Sequence, residues 1–191
     1  EVRLQYAVRR QRLAAINEPP LTIAWSGDVV EIQPDGSYGG LELHGHDEES
    51  TMLAHFSDWL GEIASANPRE LRSVVRTLRS ARRPASIWWK LLSLAATMPG
   101  PFIPLLEPLV TAPAVLRSPE LGPVVGGFLQ HGFALLSKAA RRRIERAIMG
   151  LPESYGEIDD DPQRARERGE KDCDRSLGAL PADSLVSRAA Q

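Results

Sequence analysis

Between Met52 and Leu151 apolar residues recur at helical spacing, and proline interrupts the pattern at intervals; no other feature restricts the possible folds so strongly. Met52, Leu53, Phe56, Trp59, Leu60 and Ile63 fall at i, i+1, i+4, i+7, i+8 and i+11, the stripe of an amphipathic helix. Asn67, Pro68, Arg69 and Glu70 then supply an N-cap, a proline at the first helical position and an acid that completes a capping box. The helix they open has Leu71, Val74, Val75 and Leu78 on one face and Arg69, Arg72, Arg76 and Arg79 on the other. Pro84 opens the next, whose broad apolar face of Ile87, Trp88, Leu91, Leu92, Leu94 and Ala95 runs to a break at Pro99 and Gly100.

Pro104 and Pro108 fall inside the following apolar run, Phe102 to Val110. An internal proline removes a hydrogen bond and crowds the preceding turn, so this helix is expected to be short, kinked or split. Ser118, Pro119 and Glu120 cap a further helix with Leu121, Val124, Val125, Phe128, Leu129, Phe133 and Leu136 as its apolar positions. Ser137 caps the one after it, which ends at Gly150, Leu151 and Pro152. Helices of roughly 10 to 18 residues joined by short turns predict a mainly α fold of stacked helical hairpins, α-solenoid-like or an irregular helical bundle. The starts of the two better pairs, Pro84 and Pro119, lie 35 residues apart, near the period of familiar helical repeats.

On either side of this body, residues 47–152, the pattern changes. Val2 to Ile16 lacks glycine and proline, carries Arg3, Arg9, Arg10 and Arg12, and reads as a helix that Pro19 and Pro20 stop, giving an N-terminal helix and connector over 1–20. Residues 21–46 are the least helical part. Ile23, Trp25, Val29, Val30 and Ile32 form strands readily, and turn residues at Ser26-Gly27-Asp28 and Pro34-Asp35-Gly36 predict a small β-hairpin or ordered loop near residues 21–43. From 153 to 191 apolar residues thin out, Asp159, Asp160 and Asp161 precede a mixed-charge run, and a solvated helix or a flexible tail is expected. The chain opens on Glu1 and reads as a segment of a longer polypeptide.

The single cysteine, Cys173, rules out a disulfide within the chain and favours a reducing compartment, hence the cytoplasm. Ala85 to Met98, the longest apolar stretch, is interrupted by Lys90 and falls short of the roughly 20 residues a membrane span requires, so no membrane association is expected. Net charge is only −2, but it is unevenly placed. Glu18 to Glu62 holds ten acidic residues and no lysine or arginine, whereas Ile63 to Met149 holds thirteen basic residues against four acidic ones. Two such blocks either face each other inside one fold, the favoured reading, or meet a partner of opposite charge.

Three constellations carry chemistry worth weighing. His44, His46 and His55, with Asp47, Glu48 and Glu49, have the residue types of a metal site. Their spacing matches no specific motif, and a polar loop before a helix whose first turn is acidic accounts for them better. Arg69, Arg72, Arg76 and Arg79, with Arg82, Arg83 and the cluster Arg141, Arg142, Arg143 and Arg146, could track a phosphate backbone, and Trp88 and Trp89 could stack on bases. The plainer account is a solvated helix face opposite an apolar one, with the tryptophans in the core. His131 fits a core or boundary position, and Cys173 has no histidine nearby in sequence to act as its base. Gly122, Gly126 and Gly127 suit close helix packing. With no phosphate-cradling loop, dinucleotide fingerprint, zinc-protease motif or nucleophile elbow, no enzyme activity and no cofactor are expected.

Ser86-Ile87-Trp88-Trp89-Lys90-Leu91-Leu92, the turn from Leu109 to Leu116, and Ser137 to Glu153 with Arg143-Ile144-Glu145-Arg146-Ala147-Ile148 resemble helical-repeat (HEAT- or TPR-like) regions of very large bacterial STAND-type NTPases. The resemblance spans about Leu53 to Glu153 and rests on caps and apolar faces. It implies a scaffold or sensor segment in a signalling or antiphage-defence protein, bound to a protein partner or to other domains of its parent, with the NTPase centre elsewhere. No catalytic residue carries over. The alternative is a nucleic-acid-binding helical domain using Arg69, Arg72, Arg76, Arg79, Arg142 and Arg143.

Overall fold

The computed structural model describes residues 18–36, 48–156 and 160–187. The expected N-terminal helix, Val2 to Ile16, and the loop carrying His44 and His46 lie outside the described residues. The hairpin is present as β1 (Leu21–Trp25) and β2 (Asp28–Gln33), antiparallel, with Ile23 opposite Val30 and Leu21 opposite Ile32. Ser26 and Gly27 form its two-residue turn with φ of 54° and 88°. Positive φ at both positions matches the turn's twist to that of the strands; glycine adopts it freely, and Ser26 bears of order 1 kcal/mol of strain. Alternation then buries Ile23, Trp25, Val30 and Ile32 on one face.

A third strand, β3 (Arg83–Pro84), pairs parallel with β2 and was not signalled by the sequence pattern. Two residues are too few to show a period, and Pro84 is tolerated because β3 is an edge. Its effect is to tie the hairpin to the start of the third helix. Asp35, just beyond β2, accepts from the Ser86 backbone N–H at 3.0 Å and so caps that helix from a distance in sequence.

The helices are α1 (Glu48–Ala66), α2 (Pro68–Arg79), α3 (Ala85–Thr97), α4 (Pro99–Val110), α5 (Pro113–Arg117), α6 (Gly122–Gly132), α7 (Lys138–Met149), α8 (Leu151–Tyr155) and α9 (Pro162–Gly178), with 3-10 turns at Phe133–Leu135 and Ala182–Ser184. The protein is therefore mainly α with a small sheet, in the irregular-bundle form. Asn67 caps α2 by accepting from the Glu70 N–H at 3.2 Å, while its own amide donates to the Glu70 carboxylate. The Asn67 backbone N–H is already taken by Ile63 at 2.8 Å, which is why the acid reaches the side chain instead. Ser137 caps α7 by accepting from Ala140.

Several helical details differ from the sequence reading. The break expected at Pro99 and Gly100 falls at Met98, so these two residues open α4, which runs unbroken through Pro104 and Pro108. The carbonyls left without a helical donor belong to Gly100 and Pro104, both exposed, where water can serve them. Ser118 Oγ accepts from the Glu120 and Leu121 N–H groups, capping a turn that runs directly into α6. The stretches 35 residues apart are also held differently. Helices α3 and α4 pack as a pair, but α6 turns back onto α3, and α7 lies against α5, α8 and α9.

Among the described residues, one core joins the sheet to the helices. Ile23, Trp25, Val30 and Ile32 from the sheet join Leu60, Leu71, Trp88, Leu91, Phe102, Leu106, Phe128, Phe133, Ile144 and Leu151 from the helices. Trp88 is fully enclosed, its ring 5.8 Å from that of Trp25. The tail forms α9, a helix that is mostly exposed, as a solvated helix would be, yet buries Ala165, Gly169 and Ser176 against the body. Gly169 permits this, because a Cβ there would sit 2.4 Å from the Cα of Pro152 on α8. Asp161 caps α9 by accepting from Gln163 and Arg164. No helix among the described residues is long and apolar enough to cross a membrane.

Candidate functional site

Arginines of the presumed phosphate-tracking faces divide into two groups. Arg79, at the end of α2, donates to the Trp25 carbonyl at 2.7 Å and pairs with Asp28 at 2.9 Å, and its guanidinium lies 4.9 Å from the Trp25 ring centroid. Arg82 pairs with Glu31 at 2.7 Å, and Arg143 on α7 pairs with Glu107 on α4. These contacts hold the hairpin and α4 in place. The Arg79 and Arg82 pairs join the acidic block to the basic one within the fold. Arg69, Arg72, Arg76 and Arg142 are exposed.

The aromatic partners expected for bases are not presented either. Trp88 is core, and Trp89 is half-buried with the Lys90 Nζ 5.2 Å from its ring centroid. Of the three candidate metal-ligating histidines only His55 is described, and it is exposed on α1. Among the described residues no group of three or more histidine, cysteine or acidic side chains could hold a metal ion. His131 is exposed, not core, and its Nδ1 lies 3.0 Å from the Gly127 carbonyl. Burial, with Asp174 and Glu153 nearby, pushes the Cys173 thiol up from its ordinary value, the opposite of what a nucleophile needs. Of the α6 glycines, Gly122 allows close packing, since a Cβ there would meet the Leu116 carbonyl at 2.7 Å, whereas Gly127 faces open space.

A polar cluster joins α5, α8 and α9. The Tyr155 hydroxyl bonds to the Asp172 carboxylate, Arg175 pairs with the same acid at 3.0 Å, and Arg117 donates to the Ser154 carbonyl at 2.6 Å. Burial and the bond to Asp172 push the Tyr155 phenol up to about 12, so it stays protonated and fastens the helices. Glu120 behaves similarly. It is 3% exposed and accepts from the Gly36 N–H at 2.6 Å, with burial first and then Asp35 pushing its carboxyl above the ordinary 4.5.

What the helical stripe concealed is an edge of α1. Leu53, Leu60, Ile63 and Ala64 enter the core, but Met52 is 65% exposed and Trp59 45% exposed. Ile63, one turn beyond Trp59 on the same side of α1, is buried, so Met52 and Trp59 are left outside by where the neighbouring elements reach along the helix and not by angle alone. Phe56 sits between them, its ring 6.0 Å from that of Trp59, and Asp58 and Glu62 are exposed on the same helix. The sequence α1 contains no lysine or arginine. A large methionine and an aromatic beside acidic groups form an apolar edge of the sort that protein contacts cover. Comparison with known proteins adds nothing to this geometry: no family model, no curated protein and no solved structure matches the chain.

Proposed function

We propose that this chain is a non-catalytic helical scaffold and protein-interaction segment of a larger cytoplasmic bacterial protein, in the manner of the sensor or regulatory region of a signalling or defence NTPase. The observation that carries this reading is the apolar edge of α1, exposed Met52 and Trp59 with half-buried Phe56 between them, on a helix whose adjoining side is anchored in the core. Buried polar side chains elsewhere support it, because Glu120, Arg79 and Tyr155 are engaged in joining one element to another. The partner is a protein surface or another domain of the parent, and the acidic residues beside the edge favour basic groups around an apolar centre.

The test is photo-crosslinking in the full chain, with the reactive residue placed at position 52, at 59, or at the distant control Arg142. Recovery of one shared protein or parent-chain segment from 52 and 59, and not from 142, is the expected result. Identical products from all three positions would refute the reading. The nucleic-acid alternative keeps one favourable observation, the exposure of Arg69, Arg72 and Arg76 along α2 and of Arg142 on α7. Its signature is retention on DNA or RNA that weakens steeply with salt and is lost on reversing Arg72 and Arg76 to glutamate.

A further inference from the structure

Glu145 on α7 is completely enclosed, at 0% exposure, yet its two oxygens are engaged by main-chain N–H groups and, among the described residues, by no cation. Val186 donates to one oxygen at 2.6 Å and Ser187 to the other at 2.8 Å. One helical turn earlier, and so on the same side of α7, Arg141 donates to the Ser184 carbonyl at 2.9 Å. Between these contacts Leu185, in extended conformation, packs against the edge of the core.

Each of these three polar contacts reaches backbone. The face of α7 therefore recognises a carbonyl, an apolar side chain and two successive N–H groups in an extended segment, whatever its other side chains. Residues 184–187 are an imperfect occupant, because the Ser187 Oγ is buried there without a partner. They are also a displaceable one, because both Glu145 oxygens face the strap's N–H groups, whose place water or the N–H groups of another segment can take.

We propose that the α7 face around Arg141 and Glu145 is a docking site for an extended protein segment, held closed in cis by residues 184–187. The preferred incoming segment carries an apolar residue at the Leu185 position and alanine in place of the strap's final serine. Tethering gives the strap a high effective concentration, so an incoming segment competes only when it binds more tightly or when the strap is loosened. This device does not rest on the α1 edge, and its failure would leave that reading untouched.

Val186→Pro in the full chain tests it. Proline removes one donor to Glu145, and the Leu185 angles of −62° and 139° already suit a residue before proline. The probe is a fluorescent seven-residue peptide copying Pro181 to Ser187, followed by anisotropy. Loss of one charge-assisted bond from the strap is expected to tighten peptide binding about tenfold or more over the unaltered chain. Adding Glu145→Ala to the same chain is expected to abolish that binding, and a peptide ending in alanine is expected to bind several-fold better than the serine form, the gain being about that of relieving one buried hydroxyl. Equal binding by the Val186→Pro chain and the unaltered chain, or binding that survives Glu145→Ala, would overturn the proposal. Should Val186→Pro unfold the chain, Ser187→Ala provides the independent reading. It must slow amide exchange at Val186 and at position 187, and unchanged or faster exchange counts against the site.

Discussion

The hairpin and the tail helix are both peripheral, and they are fastened in opposite ways. β1 and β2 insert Ile23, Trp25, Val30 and Ile32 into the common core and add Arg79 and Arg82 as ionic ties. Helix α9 buries little beyond Ala165, Gly169 and Ser176, and is held by close backbone approach at Gly169 and by the Tyr155, Asp172 and Arg175 cluster. Large apolar side chains gain stability in proportion to the area they remove from water, and that gain tolerates small misplacements. A clasp of short contacts gains less and depends on geometry. The hairpin should thus fail together with the whole fold, and the tail should detach alone.

Four substitutions test that contrast, beginning with the largest expected effect. Trp25→Ala removes a 3% exposed indole that touches Trp88, and should lower global stability by about 3–5 kcal/mol in urea unfolding. A loss confined to the hairpin, with the helices melting as before, would contradict the shared core. Gly169→Val places a side chain where Pro152 already lies, and a shift costing about 1–3 kcal/mol is expected. Its mark is selective: amide exchange should quicken along α9 while α3 keeps its protection.

Glu120→Gln gives a smaller effect that depends on pH. Because burial raises the Glu120 carboxyl above 4.5 in the fold, its favourable contribution is complete below the unfolded value and is lost as pH rises through the folded one. The unaltered chain should therefore lose stability relative to Glu120→Gln as pH climbs from about 4.5 to neutrality. Parallel stability curves for the two chains would show that the carboxylate feels no such penalty. Tyr155→Phe should have the smallest effect, about 1 kcal/mol, from loss of its bond to Asp172. The part of the phenol absorbance that Tyr155→Phe removes should titrate near pH 12, and a value near the ordinary 10.0 would mean that the clasp is open in solution.

Helix positions were largely legible because their causes are local. Asn67 and Ser137 cap where their sequence context indicated, the Ser26-Gly27 turn closes the hairpin, and the apolar positions of α2, α3 and α6 are mostly buried. The α1 stripe was legible only as a periodicity. Met52 and Trp59 matched it as well as Leu53 and Leu60 did, and only the placement of neighbouring helices decided which side was covered. The arginine faces show the same limit. Arg72 and Arg79 look alike along α2, yet one is exposed and the other sits over Trp25, a residue 54 positions away.

By itself the sequence determined a mainly helical chain, its proline-marked breaks, its caps and one hairpin turn, because backbone sterics and hydrogen bonding within a few residues settle those. Tertiary structure alone decided that β3 joins the sheet, that Gly169 admits α9 against Pro152, and that Glu145 holds the strap. Each of these unites residues distant in sequence, and such contacts depend on which surfaces meet when the core closes, a quantity that no short window of residues contains.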